Sequence, residues 1–84
     1  MSEEKEIGIV SGYFSHVGVA AIKLSDSLST GVRIRLKGAT TDFEMDVEEI
    51  QIDRKSVERA EAGEHVGIKV SEKVRPNDKV FLVE

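Results

Sequence analysis

The sequence predicts an all-β domain, a small closed barrel of six or seven strands in a Greek-key arrangement. Apolar and polar residues alternate with a period of two along most of the chain, as in strands with one face in a core. Seven glycines and one proline separate the alternating segments, and no segment has the length and apolar stripe of an ordinary helix. Short strands at this spacing favour a closed barrel, because closure removes exposed sheet edges.

The 84 residues allow one domain with a small core. We assign residues 6–84 to the barrel and expect the acidic segment 1–5 to be a flexible N-terminus. The first strand is predicted at about residues 6–14 and the second at about 17–24, with a turn between them. A polar connection then leads to the third strand.

The third and fourth strands form a predicted hairpin with opposite charges on its outer face. Residues 32–37 alternate apolar with cationic side chains, and residues 43–48 alternate apolar with acidic ones. A turn at residues 38–42 would place cations directly opposite carboxylates. The expected pairs are Lys37 with Glu44, Arg35 with Asp46 and Arg33 with Glu48. Such a ladder would neutralise a basic stripe that could otherwise follow a phosphate backbone, although each exposed pair adds only about 0–1 kcal/mol.

The alternation slips at Glu48–Glu49, where two adjacent acidic residues precede the apolar Ile50 and Ile52. An extra residue at such a point is the signature of a β-bulge. We therefore expect a bulge that bends the strand and keeps both apolar halves inside. The remaining predicted elements are a polar segment at 53–61, a strand at 66–70 and a closing strand at 79–83.

The composition excludes several classes of function. The chain has no cysteine, which excludes disulfides, thiolate catalysis and cysteine-based zinc sites. A formal net charge of −4 argues against a strong non-specific nucleic-acid binder. No apolar run reaches the roughly 18 residues of a membrane span. The acidic beginning lacks the apolar core of a signal peptide, so we expect a cytoplasmic protein with no membrane partner.

No motif indicates catalysis or a cofactor. His16 and His65 each fall in a predicted turn, without the spacing of a metal site or of general acid–base chemistry. The segment 8–12, Gly-Ile-Val-Ser-Gly, is not a dinucleotide fingerprint, and the chain contains no phosphate-loop sequence. We therefore expect a protein that is not an enzyme, hydrolyses no nucleotide, and holds no metal or cofactor.

Arg54 and Lys55 are the strongest candidates for contact with a phosphate group. They follow the predicted bulged strand, and Asp53 is the only acid next to them. Arg59 lies nearby and would extend the patch. The same residues also fit a solvated loop that has no ligand, and the residues alone leave both interpretations open.

Three segments resemble the second, β-barrel domain of elongation factor Tu and its relatives. They are residues 8–12 (Gly-Ile-Val-Ser-Gly), 28–34 (Leu-Ser-Thr-Gly-Val-Arg-Ile) and 62–68 (Ala-Gly-Glu-His-Val-Gly-Ile). Residues 13–20 and 38–43 are more specifically similar to short stand-alone elongation-factor-like proteins. A related barrel occurs at the C-terminus of some collagenase-like peptidases. The resemblance covers about residues 7–83 and implies a barrel of the translation-factor type.

This resemblance implies a non-catalytic binding module for tRNA, ribosomal RNA or the ribosome, without the GTPase domain. In the family, the barrel helps to hold the aminoacylated 3′ end of tRNA. Arg54 matches the family's arginine at the terminal nucleotide, and Gln51 replaces a glutamate that packs on the terminal adenine. An apolar residue of the family's later strand falls near Lys69, which is also a change. The implied RNA-binding set is Arg54, Lys55, Gln51 and Arg59.

The alternative is a protein-interaction module or an accessory subunit of a peptidase-like enzyme. Mixed charges on the predicted outer faces suit a protein partner, and the related barrel of collagenase-like peptidases supports the same interpretation. The two functions differ in their tests. RNA binding would weaken with salt and depend on Arg54 and Lys55, whereas a protein complex would resist nuclease.

Overall fold

Ten β-strands form the regular structure of residues 4–83, the part of the chain that the computed structural model describes. The strands are β1 (Glu4–Phe14), β2 (Val19–Leu24), β3 (Leu28–Ser29), β4 (Arg33–Lys37), β5 (Asp42–Asp46), β6 (Ile50–Ile52), β7 (Lys55–Val57), β8 (Arg59–Ala60), β9 (His65–Lys69) and β10 (Lys79–Val83). Within residues 4–83, no helix has the length and apolar character needed to cross a membrane. Of the predicted flexible segment 1–5, residues 1–3 lie outside the described part, and β1 already begins at Glu4.

Eight strands form one antiparallel sheet in the order β5-β4-β10-β1-β2-β9-β6-β7, and β3 pairs with β8 separately. The all-β prediction is confirmed, but the predicted closed barrel is not found, because β5 and β7 are the two edges of the sheet. An irregular connector at residues 47–49 takes the place of a closing ladder. The Val47 carbonyl accepts a hydrogen bond from the Gly31 N–H at 2.8 Å, which attaches this connector to the segment before β4.

The bends of the sheet lie in β1 rather than at Glu48–Glu49. The register of β1 shifts between Glu6 and Gly8 against β10, and between Val10 and Gly12 against β2. The predicted bulge at Glu48–Glu49 is wrong, because the strand ends at Asp46 and restarts at Ile50. The long β1 pairs with β10 through its first half and with β2 through its second, so its irregularities turn the sheet.

The core is a single cluster of aliphatic side chains on the inner face of the rolled sheet. Ile22, Ile34, Leu36, Ile50 and Val80 have no exposed surface. They come from four different strands, so together they stabilise the pairing of elements that are distant in sequence. Burying such a side chain contributes roughly 1.5–3 kcal/mol.

The β4–β5 hairpin carries the predicted charge ladder in a different register. The turn occupies residues 38–41, closed by a 2.7 Å hydrogen bond from the Gly38 N–H to the Thr41 carbonyl. Lys37 therefore lies opposite Asp42 instead of Glu44, and Arg33 lies opposite Asp46 instead of Glu48. The opposite charges are confirmed as cross-strand neighbours, but every partner is displaced by two residues.

Hydrogen-bonded ion pairs connect the two strands of this hairpin. Arg33 Nε donates to Glu44 Oε1 at 3.0 Å, and Arg33 NH1 donates to Asp46 Oδ1 at 3.3 Å. The bond to Glu44 raises the pKa of the Arg33 guanidinium above its ordinary value. Arg35 Nε donates to Asp42 Oδ1 at 2.8 Å, which lowers the pKa of the Asp42 carboxyl. The basic stripe is thus compensated, as predicted.

A buried carboxylate fixes the turn that precedes β10. Asp78 is 5% exposed, and its Oδ2 accepts a hydrogen bond from the Arg75 N–H at 2.9 Å. Its backbone carbonyl accepts from the Val10 N–H at 2.7 Å, which attaches the turn to β1. The carboxylate also packs against the bare backbone of Gly38, in the space that a Cβ atom would occupy there. Glycine at this position allows the β4–β5 turn and the β10 turn to approach closely.

Candidate functional site

A groove of about 890 Å³ crosses one face of the sheet. It extends from the end of β5, across the connector 47–49, to the outer faces of β6, β9 and β2. Its lining residues are Val19, Met45, Asp46, Glu48, Glu49, Gln51, Gly67, Lys69, Val70 and Ser71. The groove therefore lies where the sheet edge at β5 approaches the other half of the sheet.

The floor of the groove is formed by the outer face of the sheet, where small residues of neighbouring strands lie side by side. Gly67 of β9 lies between Ala21 of β2 and Gln51 of β6 in the sheet register. A Cβ atom at Gly67 would lie 3.2 Å from Cγ1 of Val19, which is tighter than an ordinary van der Waals contact, so the Val19 side chain packs closely against the glycine backbone. A larger residue at this position would fill the floor directly.

An apolar wall lies at the β2 side of the groove. Val19 pairs with Phe14 of β1 on one side and with Lys69 of β9 on the other. Residues directly opposite in antiparallel strands share a face of the sheet, so Phe14 extends the wall that Val19 begins. Phe14 is 51% exposed, although phenylalanine is among the residues most often buried. This part of the surface offers apolar contact to a ligand.

The opposite wall is acidic and lacks cationic partners. Gln51 Nε2 donates a 2.6 Å hydrogen bond to Glu49 Oε1, which orients the carboxylate without neutralising it. Within residues 4–83, neither Glu48 nor Glu49 forms an ion pair. Asp46 differs, because Arg33 compensates it across the hairpin. The displaced register of the hairpin is the cause, since the predicted register would have given Arg33 to Glu48.

The open edge of β5 adjoins the groove at Asp46. The Val47 N–H donates to the Val32 carbonyl at 2.8 Å, and the Gly38 N–H donates to the Thr41 carbonyl. Both bonds follow the pairing register of the β4–β5 hairpin. Backbone groups of a strand alternate between its two sides. Those of Phe43 and Met45 consequently face β4, whereas those of Glu44 and Asp46 face the unpaired edge. An added extended chain would find hydrogen-bonding groups there.

The four residues predicted to bind RNA do not form one surface. Arg54 lies at the tip of the β6–β7 hairpin, and Gln51 lies opposite Ser56 on the outer face. Lys55 lies opposite Ile52, so it belongs to the other face of the hairpin from Gln51. Arg59 pairs with Glu61, with Nε and Oε1 3.1 Å apart. Gln51 alone of the four lines the groove, together with Lys69, the other position that the resemblance marked as changed.

Arg54 has a local structural role in a tight turn. Asp53 and Arg54 have φ angles of 52° and 66°, so both adopt the left-handed conformation of a type I′ turn. We expect Arg54→Gly to stabilise the domain by about 0.5–1 kcal/mol, because glycine adopts this conformation without steric cost. Urea denaturation would measure the change. A loss of stability would show that the arginine side chain makes contacts that outweigh the backbone strain.

The remaining chemistry-bearing residues are dispersed. His16 lies in the β1–β2 turn and His65 begins β9, and both are exposed. Among residues 4–83, no three His, Cys, Asp or Glu side chains are grouped so that they could hold a metal ion. A second, more open depression of about 500 Å³ is lined by Tyr13, Ser15, Lys73, Val74, Arg75 and Pro76. The groove remains the site at which apolar, acidic and edge-backbone groups converge.

The fold is that of the C-terminal domain of a Geobacillus thermoleovorans protein assigned to the U32 peptidases. The crystal structure of that domain superposes with a TM-score of 0.87 and 20% sequence identity, covering 93% of this chain and 91% of that one. Sequence identity at this level shows a shared fold. No family model matches the chain.

The sequence is also similar to parts of longer proteins. An uncharacterized protease of Methanocaldococcus jannaschii is 41% identical over 80 residues, which are 94% of this chain and 20% of the relative. A collagenase of Porphyromonas gingivalis is 42% identical over 71 residues, which are 82% of this chain and 20% of the relative. The chain thus spans about a fifth of the length of the curated relatives that it matches.

These comparisons correct the resemblance to elongation factors. The matches are to proteins named protease, collagenase or U32 peptidase, so the relation to collagenase-like peptidases is confirmed and the translation-factor identification is wrong. Glycine-rich turns such as residues 62–68 carried that resemblance, and turns of this kind reflect a fold rather than a function. The RNA-binding role of Arg54, Lys55, Gln51 and Arg59 is not tested by any comparison and stays a prediction.

Proposed function

We propose that this chain is a non-catalytic, polypeptide-binding module that serves a peptidase-like enzyme. The observation that carries the proposal is its similarity, at 41–42% identity, to segments of proteins named protease and collagenase. Because the segment is about a fifth of those relatives, most of their length is available for the catalytic machinery. A module of this kind would hold or orient polypeptide for an active site located elsewhere.

The geometry of the groove suits an extended chain better than a small molecule. Small-molecule sites usually enclose most of the ligand surface. This groove is partly open to solvent and lies beside the backbone groups of Glu44 and Asp46 that face the edge of the sheet. Extended peptides commonly bind by adding to a sheet edge, with pockets for alternate side chains. Phe14 and Val19 supply apolar contact for one such side chain.

The distribution of reactive groups supports a role in binding rather than catalysis. A cysteine nucleophile is absent from the sequence, and the exposed His16 and His65 lie on different elements. General acid–base catalysis needs a titratable group held against its partner by a third group. The groove brings together carboxylates, an amide and a lysine, which can form hydrogen bonds and ion pairs with a bound polypeptide.

Binding to denatured collagen tests the proposal. Purified chain is passed over immobilised gelatin in an optical biosensor, with transfer RNA as a competitor and the mixture analysed for new amino termini. We expect saturable binding that transfer RNA does not displace, and no cleavage. Failure to bind gelatin, displacement by transfer RNA, or cleavage by the chain alone would each contradict the proposal.

A further inference from the structure

We propose that the groove prefers polypeptide segments in which a lysine or arginine lies two residues from an apolar side chain. The preference rests on the proposed polypeptide-binding function and specifies its ligand. It is carried by two walls of different character, an acidic one at Glu48 and Glu49 and an apolar one at Phe14 and Val19.

The acidic wall has charge that the protein itself does not compensate. Three carboxylates line the groove, and Arg33 neutralises only Asp46. Glu49 is held by the neutral amide of Gln51, so its carboxylate is oriented and still charged. Elsewhere, the carboxylates of Asp42 and Glu44 on β5 are paired with arginines. Complementary charge across an interface favours one ligand and disfavours ligands of the same sign.

Lys69 partly offsets the negative charge of the acidic wall. It is the lysine among the lining residues and lies next to Val19, on the side of the apolar wall. Its ammonium opposes a basic ligand, and its removal should strengthen the preference. Removing the carboxylates of Glu48 and Glu49 should therefore weaken the preference for a basic peptide, and removing the ammonium of Lys69 should strengthen it.

The separation of the two walls fits the repeat of an extended chain. Val19 on β2 lies opposite Lys69 of β9, and Gln51 on β6 lies opposite Gly67, so two strand spacings of roughly 4.8 Å and an offset of two residues place them about 12 Å apart. Alternate residues of an extended peptide project to one side and are about 6.7 Å apart. The length of a lysine or arginine side chain spans the difference between this spacing and the separation of the two walls. An apolar residue at one position and a basic residue two positions away would therefore reach both walls.

Matched peptides test the preference. Three fluorescein-labelled peptides of the form Gly-Ser-Leu-Ser-X-Ser-Gly, with X as lysine, glutamine or glutamate, are titrated with the full chain and followed by fluorescence anisotropy. We expect the lysine peptide to bind about three- to tenfold more tightly than the glutamate peptide, with a difference that shrinks at high salt. Equal binding of all three peptides would overturn the preference but leave polypeptide binding in place. Absence of binding to any of them would overturn both.

Substitutions locate the preference in the groove. Glu48→Gln with Glu49→Gln should bring the lysine and glutamate peptides to within about twofold of each other, whereas Lys69→Gln should widen the difference. A control removes two exposed carboxylates outside the groove, with Asp53→Asn and Glu58→Gln. Circular dichroism confirms that each variant is folded. If the control reduces the preference as much as the groove variant, or if Lys69→Gln reduces it, the proposal is wrong.

Discussion

Gly67→Val is expected to weaken polypeptide binding by about tenfold or more, which corresponds to about 1.4 kcal/mol, while the domain stays folded. The substitution places a branched side chain on the floor of the groove, where its Cβ atom would lie 3.2 Å from Cγ1 of Val19 and push that side chain aside. The tight contact with Val19 opposes folding, whereas a β-branched residue suits a strand better than glycine does, so the change in unfolding free energy should remain within about 1 kcal/mol. Gelatin binding and urea denaturation measure the two quantities independently.

Gly12→Val is the matched control for this substitution. Gly12 belongs to the same outer row as Ala21 and Gly67, and a Cβ atom there would meet no atom within 4 Å. It does not line the groove. We expect Gly12→Val to bind gelatin as the unmodified chain does. Equal losses for both variants would place the binding surface on the sheet face as a whole, and unchanged binding for Gly67→Val would exclude the groove.

Gly38→Ala is expected to destabilise the domain by about 1–3 kcal/mol. The added methyl group would overlap the carboxylate of Asp78, which is buried and holds the Arg75 N–H. Since small domains have only about 5–15 kcal/mol of total stability, the urea midpoint should fall clearly. Gly12→Ala, at a position with open space, should change the midpoint little.

A double-mutant cycle distinguishes this overlap from a general effect on the turn. Asp78→Ala removes the carboxylate and, by leaving the Arg75 N–H without its acceptor, is itself destabilising. In the Asp78→Ala background, Gly38→Ala should cost much less than it does alone. Additive costs would show that the carboxylate is not the reason for glycine at position 38.

Much of the fold could be predicted from the sequence, because it depends on local pattern. Alternation at Val32, Ile34 and Leu36 marks a half-buried strand, and these residues do face the core or pack against it. The register of the β4–β5 hairpin could not be predicted, because it depends on the loop between Lys37 and its partner, which has four residues where the predicted pairing implied six. Shortening the turn moves every partner on β5 and leaves Glu48 outside the ladder.

The groove could be predicted only in part. Glu48–Glu49 stood out as a break in the alternation, and Gln51 and Lys69 as changed positions, and all of them line the groove. Gly67 and Val19 gave no signal, because the depression arises only when β2, β9 and β6 lie side by side. Arg54 and Lys55 attracted attention as adjacent cations, yet the positive φ of Arg54 shows that this position serves a hairpin turn.

The central claim is that polypeptide binds in the groove, and a nuclear magnetic resonance titration tests it most directly. The uniformly nitrogen-15-labelled chain is titrated with the lysine peptide, and amide shifts are followed residue by residue. We predict the largest changes at Val19, Glu48, Gly67 and Lys69, and small ones at Arg54 and Lys55. Changes centred on the β6–β7 hairpin, or spread evenly over the domain, would contradict the account.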